Sequence, residues 1–315
     1  MIPLLISAAA AIASTWAARA IALRLDFVSH PNPIVPQHTT PVAYLGGAGL
    51  AMAIVTGVGT FAHVTVPLFI WLPGALFLVL GVIDDLRPFS AGKKLLLQSA
   101  IAALAVLLGF RADISGIVIV DAIAAFVWII ALVNAVNVTD VCDGLVAGVS
   151  IPLFLALALL NPARAPLALA VAGACIGFLF FNRPPATIFL GDAGSHLLGF
   201  LAATLTPLST RSFPAALLVM GVFFFELVFL IFVRTRKGLR WWLGSRDHFA
   251  LRLQAAGLSK VQTDLVAIAA GIVVAIMAVT ACTAKPLIQS ALLVLGAILA
   301  LIAGRLLLRW EVMTQ

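Results

Sequence analysis

The sequence predicts an all-α fold: a polytopic membrane helical bundle of about eleven transmembrane helices, N-terminus outside and C-terminus cytoplasmic. Three observations carry that expectation. Apolar residues make up 63% and charged residues only 10% of the 315 residues, with mean hydropathy +1.19, too little polar surface to solvate a soluble globule of this size. Apolar stretches near the roughly 20 residues needed to cross a hydrocarbon core recur along the whole length. Basic residues gather in alternate loops.

The first span, 3–23, imitates a signal peptide, but Arg19 and Arg24 come late in or after the apolar stretch instead of preceding it, so it reads as an uncleaved helix. Further spans follow at 43–62, 66–83, 94–110, 117–136, 145–160, 166–181, 195–208, 213–233, 264–284 and 287–307. One membrane domain, 1–315, is expected, with cytoplasmic loops near 24–45, 84–94, 137–145, 182–195 and 234–263. One set of alternate loops holds fourteen Lys and Arg and the other holds four, which sets the orientation. The formal net charge of +7 is therefore mainly a topology signal, and a basic face also suits phosphate ligands and anionic membrane lipid. No nucleic-acid motif is visible, and nucleic acid is not needed to explain the charge. Cys142, Cys175 and Cys282 are scattered without metal-ligand spacing and read as packing residues.

Asp84, Asp85, Asp140, Asp143, Asp192 and Asp247 all fall at the cytoplasmic helix ends or loops of this topology. An acid at the bilayer centre costs roughly 2.5 to 3.5 kcal/mol on insertion scales, so acids bordering spans need partners or a task. A single one reads as a solvated cap. Several in one aqueous mouth point to a site.

Asp84-Asp85 closes the third span in Gly81-Val82-Ile83-Asp84-Asp85-Leu86-Arg87-Pro88; adjacent acids repel, so the pair suits a cation or proton held against a substrate, or simple neutralisation by Arg87, Lys93 or Lys94. In Asn134-Ala135-Val136-Asn137-Val138-Thr139-Asp140-Val141-Cys142-Asp143-Gly144-Leu145, helical spacing puts Asn134, Asn137 and Asp140 or Val141 on one face, as a cavity lining or as an interhelical hydrogen-bond cluster. The segment Phe181 to Ser195 holds two prolines that bar a regular helix, and Gly191 and Gly194 around Asp192 suit close approach to a ligand; its plain reading is a loop with an N-cap at Ser195. In the loop from Arg234 to Thr263, His248 and Arg252 are four apart, which on a helical turn makes a phosphate clamp, while Trp241 and Trp242 among basic residues look like an interfacial anchor. Glu226, within Phe223-Phe224-Phe225-Glu226-Leu227, reads as a protonated packing residue or a lining group of a lipid groove.

Taken together and in order, these segments resemble the polyprenyl-phosphate N-acetylhexosamine-1-phosphate transferase family, of glycosyltransferase family 4 type. The resemblance runs through nearly the whole chain: Asp84-Asp85 with Ser90-Ala91 and Lys94-Leu95 through Gln98; Asn137, Asp140 and Asp143-Gly144-Leu145; Phe181-Asn182, Pro185-Ala186 and Phe189 to Ser195; and Asp247-His248 with Arg252-Leu253. It implies transfer of a sugar 1-phosphate from a UDP-N-acetyl sugar to polyprenyl (undecaprenyl) phosphate, with UMP released. Mg²⁺ is the implied cofactor, with Mn²⁺ as a substitute. Carried over by position, Asp192 would be the main metal ligand, and Asp84 and Asp85 would serve the metal and the lipid phosphate. Lys94 and His248 would contact phosphates and Arg252 would absorb charge on the diphosphate. Asp140, Asp143, Asn182 and Phe189 would lie near the nucleotide, supported by Asn137. The implied setting is a multi-pass protein of the bacterial inner membrane with its site facing the cytoplasm, and the resemblance admits a homodimer.

The chain departs from that family at three places. Val141 stands where a glycine is usual, and a β-branched residue resists φ > 0. In the early loop that keeps His38 and the glycines Gly46 and Gly47, Ala43 and Tyr44 stand where Pro and Arg are common. A histidine-rich stretch is reduced to His248, which argues against the muramoyl-pentapeptide branch and for a surface-polysaccharide or O-antigen branch. A transporter would also explain intramembrane polar residues, but it predicts inverted repeats and acids near mid-membrane, whereas these acids cluster at one face. A CDP-alcohol phosphotransferase would need a longer Asp-Gly array than Asp140 and Asp143 supply.

Overall fold

Each apolar stretch becomes a helix because, in lipid, backbone N–H and C=O groups must be paired within the segment. The computed structural model describes residues 1–29, 41–60, 65–240, 242 and 244–310. His38 and Trp241 lie outside the described residues. The helices are α1 (Ile2–Arg24), α2 (Gly46–Gly59), α3 (Leu68–Leu86), α4 (Ala91–Leu107), α5 (Val118–Thr139), α6 (Leu145–Leu160), α7 (Ala165–Asn182), α8 (Gly191–Leu205), α9 (Phe213–Val219), α10 (Gly221–Arg236), α11 (Phe249–Ala255), α12 (Lys260–Thr283) and α13 (Pro286–Leu307).

Six of these, counting the short turn Pro162–Arg164 with α7, are long and apolar enough to cross a membrane, or seven if the bent pair α9 and α10 is one span. The protein is thus mostly helical and multi-pass. The helices α2, α4, α6 and α8 match expected spans in position, and at 14, 17, 16 and 15 residues they fall short of the roughly 20 that a full span needs. The expected single span 213–233 is instead two helices meeting at 71° around Met220.

A small departure from all-α is the antiparallel pair β1 (Val28–Ser29) and β2 (Val42–Ala43), in register Val28 with Ala43. Ala43 also bridges Ile188, and its carbonyl accepts the N–H of Phe189 at 2.8 Å. The early loop is thereby stitched to the segment leading into α8.

The centre of the bundle is α8, buried at every position except Asp192. It packs against α2, α3 and α5, and small residues set those crossings. A Cβ on Gly47 of α2 would lie 2.3 Å from the nitrogen of Gly194, one on Gly81 of α3 would lie 2.3 Å from Ala193, and one on Gly199 would lie 2.7 Å from the Cα of Val133 in α5. The helices α2 and α3 therefore converge on the first turn of α8, which carries Asp192, while α5 crosses it further along at Gly199.

Candidate active site

The site is built where α3 ends, α4 begins and α8 begins. Asp84 and Asp85 occupy the last turn of α3, where the helix C-terminus is already negative and acids are disfavoured unless a cation answers them. That cation is Lys94 of α4, a helix started by Ser90, whose Oγ caps the N–H of Lys93. Lys94 Nζ stands 2.8 Å from Asp84 Oδ2 and 2.6 Å from Asp192 Oδ2, bridging acids from two helices. It also donates to Asn137 Oδ1 at 3.2 Å.

Asn137 completes the group from α5: its Nδ2 donates to Asp192 Oδ1 at 2.6 Å and to Ser195 Oγ at 3.0 Å. Asp84 is further held by the N–H of Phe89. Asp84, Lys94, Asn137 and Asp192 thus come together as one constellation from four helices. Asn134, one turn from Asn137, is turned aside to Gln98 at 3.0 Å, and Gln98 meets His196 Nε2 at 3.1 Å. Both asparagines make interhelical hydrogen bonds, Asn137 toward the acids and Asn134 toward Gln98.

Asp85 is used differently from the expectation. Its two carboxylate oxygens accept the backbone N–H groups of Asp192 at 2.9 Å and Ala193 at 3.2 Å, so it caps the start of α8. Gly191 is required there, having φ +72°, and a Cβ on it would meet Asp85 Oδ2 at 2.6 Å. The N-cap expected at Ser195 does not form, because α8 begins four residues earlier and Ser195 lies within it.

The donor set fits a small hard cation. Asp84 and Asp192 both meet Lys94 Nζ, at 2.8 and 2.6 Å, and one ammonium cannot neutralise two carboxylates. Mg²⁺ is usually bound through one or two carboxylates, completing its shell with water and substrate phosphate, so Asp192 and Asp84 suffice to hold it. Among the described residues no cluster of three or more His, Cys, Asp or Glu forms a metal cage.

A second polar group lies after α5. Asp140 caps the end of α5, and burial, followed by the negative charges of Asp192, Asp85 and Asp143, raises its carboxyl well above the usual range. Val141 causes no strain: the described non-glycine residues with φ > 0 are Asp26 and Leu45, and the left-handed position is taken by Gly144 at +78°. Asp143 is buried and accepts from Lys260 at 3.3 Å and from the N–H of Ala186 at 3.3 Å. Asn182 joins the two segments, accepting from the N–H of Gly144 and donating to the carbonyl of Ile188, each at 3.0 Å.

Phe189 lies edge-on to Tyr44, ring centroids 6.0 Å apart. Burial, opposed by a hydrogen bond to Ser29 and reinforced by the charges of Asp85, Asp192 and Asp140, raises the Tyr44 phenol, so this ring stands within the field of the acid cluster. Tyr44 is the only tyrosine of the chain, and the sequence signal for it is its departure from the family pattern, in which Arg is common at that place.

The phosphate clamp of His248 and Arg252 does not form. His248 is the N-cap of α11 with ψ 142°, so the two side chains do not share a helical face. Arg252, 1% exposed, donates to Asp247 Oδ1 at 2.6 Å and to the carbonyls of Leu307 and Trp310 at 3.2 and 2.9 Å, tying the end of α13 to this loop. Burial would raise the Asp247 carboxyl, but Lys237 and Arg252 outweigh it and hold the group below its usual value. His248 instead meets Glu226 of α10, Nδ1 to Oε1 at 2.6 Å. Trp242 is exposed, with the Arg240 guanidinium 5.9 Å from its ring centroid.

Residues 67–210 match the profile of glycosyl transferase family 4, a region holding Asp84, Asp85, Lys94, Asn137, Asp140, Asp143, Asn182, Phe189 and Asp192 but not His248 or Arg252. Among curated proteins, a probable undecaprenyl-phosphate N-acetylglucosaminyl 1-phosphate transferase of Bacillus subtilis is 28% identical over 282 residues, covering 82% of this chain and 78% of that one. A decaprenyl-phosphate N-acetylglucosaminephosphotransferase of Mycobacterium tuberculosis is 28% identical over 297 residues, covering 78% and 73%. A phospho-N-acetylmuramoyl-pentapeptide-transferase of Prochlorococcus marinus is 34% identical over 173 residues, but covers only 46% of each chain.

Proposed function

We propose that this chain, whose residues 67–210 match the profile of glycosyl transferase family 4, transfers an N-acetylhexosamine 1-phosphate from a UDP-sugar to polyprenyl phosphate. UMP is the second product, and the reaction opens a lipid-linked glycan pathway. The observation that carries this reading is the meeting of Asp84, Lys94, Asn137 and Asp192 from four helices at one point. The relatives matched over most of their length, from Bacillus subtilis and Mycobacterium tuberculosis, are named as polyprenyl-phosphate N-acetylglucosamine-phosphate transferases, whereas the muramoyl-pentapeptide relatives match over partial segments. That difference supports the surface-polysaccharide branch.

A phosphate oxygen of the lipid attacks the β-phosphorus of the UDP-sugar in line. The bond from β-phosphorus to the bridging oxygen breaks, and UMP leaves with that oxygen. One phosphoanhydride replaces another, so no further energy source is needed. Catalysis is then largely placement and charge neutralisation. Mg²⁺ held by Asp192 and Asp84 would neutralise diphosphate oxygens. Lys94 carries an ammonium into the same point, Asn137 orients Asp192, and Asp85 fixes the α8 turn on which Asp192 sits. Asp140, Asp143, Asn182 and Phe189 border the nucleotide.

The membrane arrangement that accompanies this reading has eleven spans with the N-terminus outside and the C-terminus inside, so that the site opens to the cytoplasm of a bacterial inner membrane. The test is a panel of UDP-N-acetyl sugars incubated with purified protein, undecaprenyl phosphate and Mg²⁺, with UMP as the readout. Direct attack predicts no labelled protein when the UDP-sugar is supplied without lipid. A trapped sugar-phosphoryl or phosphoryl enzyme would replace direct attack with a two-step route.

A further inference from the structure

Glu226 is wholly buried in a run of phenylalanines on α10, where an unpaired carboxylate is costly. Both of its oxygens are committed to one point in the next loop: Oε1 to His248 Nδ1 at 2.6 Å and Oε2 to the N–H of Phe249 at 3.1 Å. Lys237 and Arg252 meet Asp247, at 2.7 and 2.6 Å, and the buried Arg234 two turns along α10 feels the charge of Glu226 while its Nε donates to Ser245 Oγ at 3.0 Å, so the side chain that Oε1 meets directly is the imidazole. Packing alone would be served by an apolar residue of the same size. An acid aligned on one ring nitrogen fixes the orientation and tautomer of a histidine, as carboxylates behind functional histidines do generally.

We propose that Glu226 is a positioning residue that acts through His248, holding Nδ1–H and leaving Nε2 as the ring nitrogen presented to a phosphate oxygen of the substrates. This rests on the transferase reading for its consequence but not for its geometry. In the imidazolium form Nε2–H donates to the diphosphate while Glu226 balances the charge. The bent helix pair is what makes the contact: the break at Met220 directs α10 so that Glu226 faces the loop carrying His248.

The test is a double-mutant cycle on the purified full-length protein, with UMP release as readout. Glu226→Ala is expected to lower kcat ~10- to 100-fold, the cost typical of losing a partner that orients a histidine, with KM for the UDP-sugar changed less than about twofold. Because the effect passes through His248, the double variant Glu226→Ala/His248→Ala should match His248→Ala alone. Glu226→Gln keeps an oxygen for Nδ1–H and should lose less, which also covers the case in which the alanine variant does not fold. Wild-type kcat in Glu226→Ala, or a double variant slowed by the product of the two single effects, would overturn the proposal.

A second readout needs no turnover. In ¹⁵N-histidine-labelled protein, with His248→Ala used for assignment, the Nδ1 proton of His248 should be resolved and protected, and should be lost in Glu226→Ala. An unchanged His248 signal would overturn the proposal. Failure of the wild-type protein to release UMP would count against the transferase reading and leave this second arm standing by itself.

Discussion

Asp85, at the end of α3, accepts a hydrogen bond at 2.9 Å from the backbone N–H of Asp192, 107 residues later in the chain. The carboxylate thus caps the helix that carries the central acid of the site, and it does so across a glycine that no other residue replaces without strain. Gly191→Ala puts a side chain at φ +72° and 2.6 Å from Asp85 Oδ2. The left-handed conformation alone costs roughly 1–2 kcal/mol, and displacement of the cap adds to it. The expected result is a lower Tm together with lost transfer activity. Gly92→Ala, in α4 with nothing near its Cβ, is the control and should be neutral or stabilising by up to about 1 kcal/mol. Equal melting of Gly191→Ala and Gly92→Ala would contradict the capping role.

Asp140 should oppose folding at neutral pH. Burial and the neighbouring charges of Asp192, Asp85 and Asp143 raise its folded carboxyl above the ordinary value of 3.8, so its favourable contribution is complete below that value and lost as pH rises through the folded one. Asp140→Asn is therefore expected to raise Tm at pH 7, on the order of 2–4 °C per kcal/mol relieved, while transfer activity falls. The gap in Tm should close as the pH is lowered toward 4. A variant less stable than wild type at pH 7 would show that the charge is matched by a partner.

Arg252 and Asp247 form a structural clasp between the α11 loop and the end of α13. Removing one partner of a buried pair costs about 3–5 kcal/mol, so Arg252→Ala should sharply lower stability and expose the end of α13 to protease. Arg252→Lys cannot reproduce the fork and should fall between. The Asp247 carboxyl is held below 3.8, so its contribution is present above that value and lost as pH falls through the lower folded one. KM for the UDP-sugar in the folded fraction should stay near wild type; a large rise in KM with unchanged Tm would return Arg252 to the substrate site.

The positions of the helices are legible because lipid permits little else for long apolar stretches, and the family resemblance names Asp84, Lys94, Asn137 and Asp192, which the fold brings together. What could not be read follows from information that periodicity does not hold. Asp84 and Asp85 are adjacent and chemically identical, yet one meets Lys94 and the other caps α8; which does which depends on how α3 crosses α8 at Gly81. The break at Met220 falls in a long apolar stretch whose one proline, Pro214, sits in the first turn of α9 and not at the break. Glu226 had no visible partner because His248 lies 22 residues away across a loop. Ser195 looks like a cap until the Asp85 contact starts the helix four residues earlier.

Asp192 should be indispensable to turnover and dispensable to folding. Asp192→Asn keeps the size of the side chain and its contact with Asn137 while removing the charge that a cation and Lys94 answer, so transfer should be abolished with Tm within a few degrees of wild type. Substantial retained activity would remove Asp192 from the metal site.

The most direct test follows the phosphorus. With the UDP-N-acetyl sugar selected from the panel labelled at the β-phosphate, undecaprenyl phosphate, Mg²⁺ and wild-type protein, the label should pass into the lipid-extractable product as unlabelled UMP is released. The Asp192→Asn variant should transfer none. Label retained in a released UDP would mean transfer of the sugar without its phosphate, and would contradict the account.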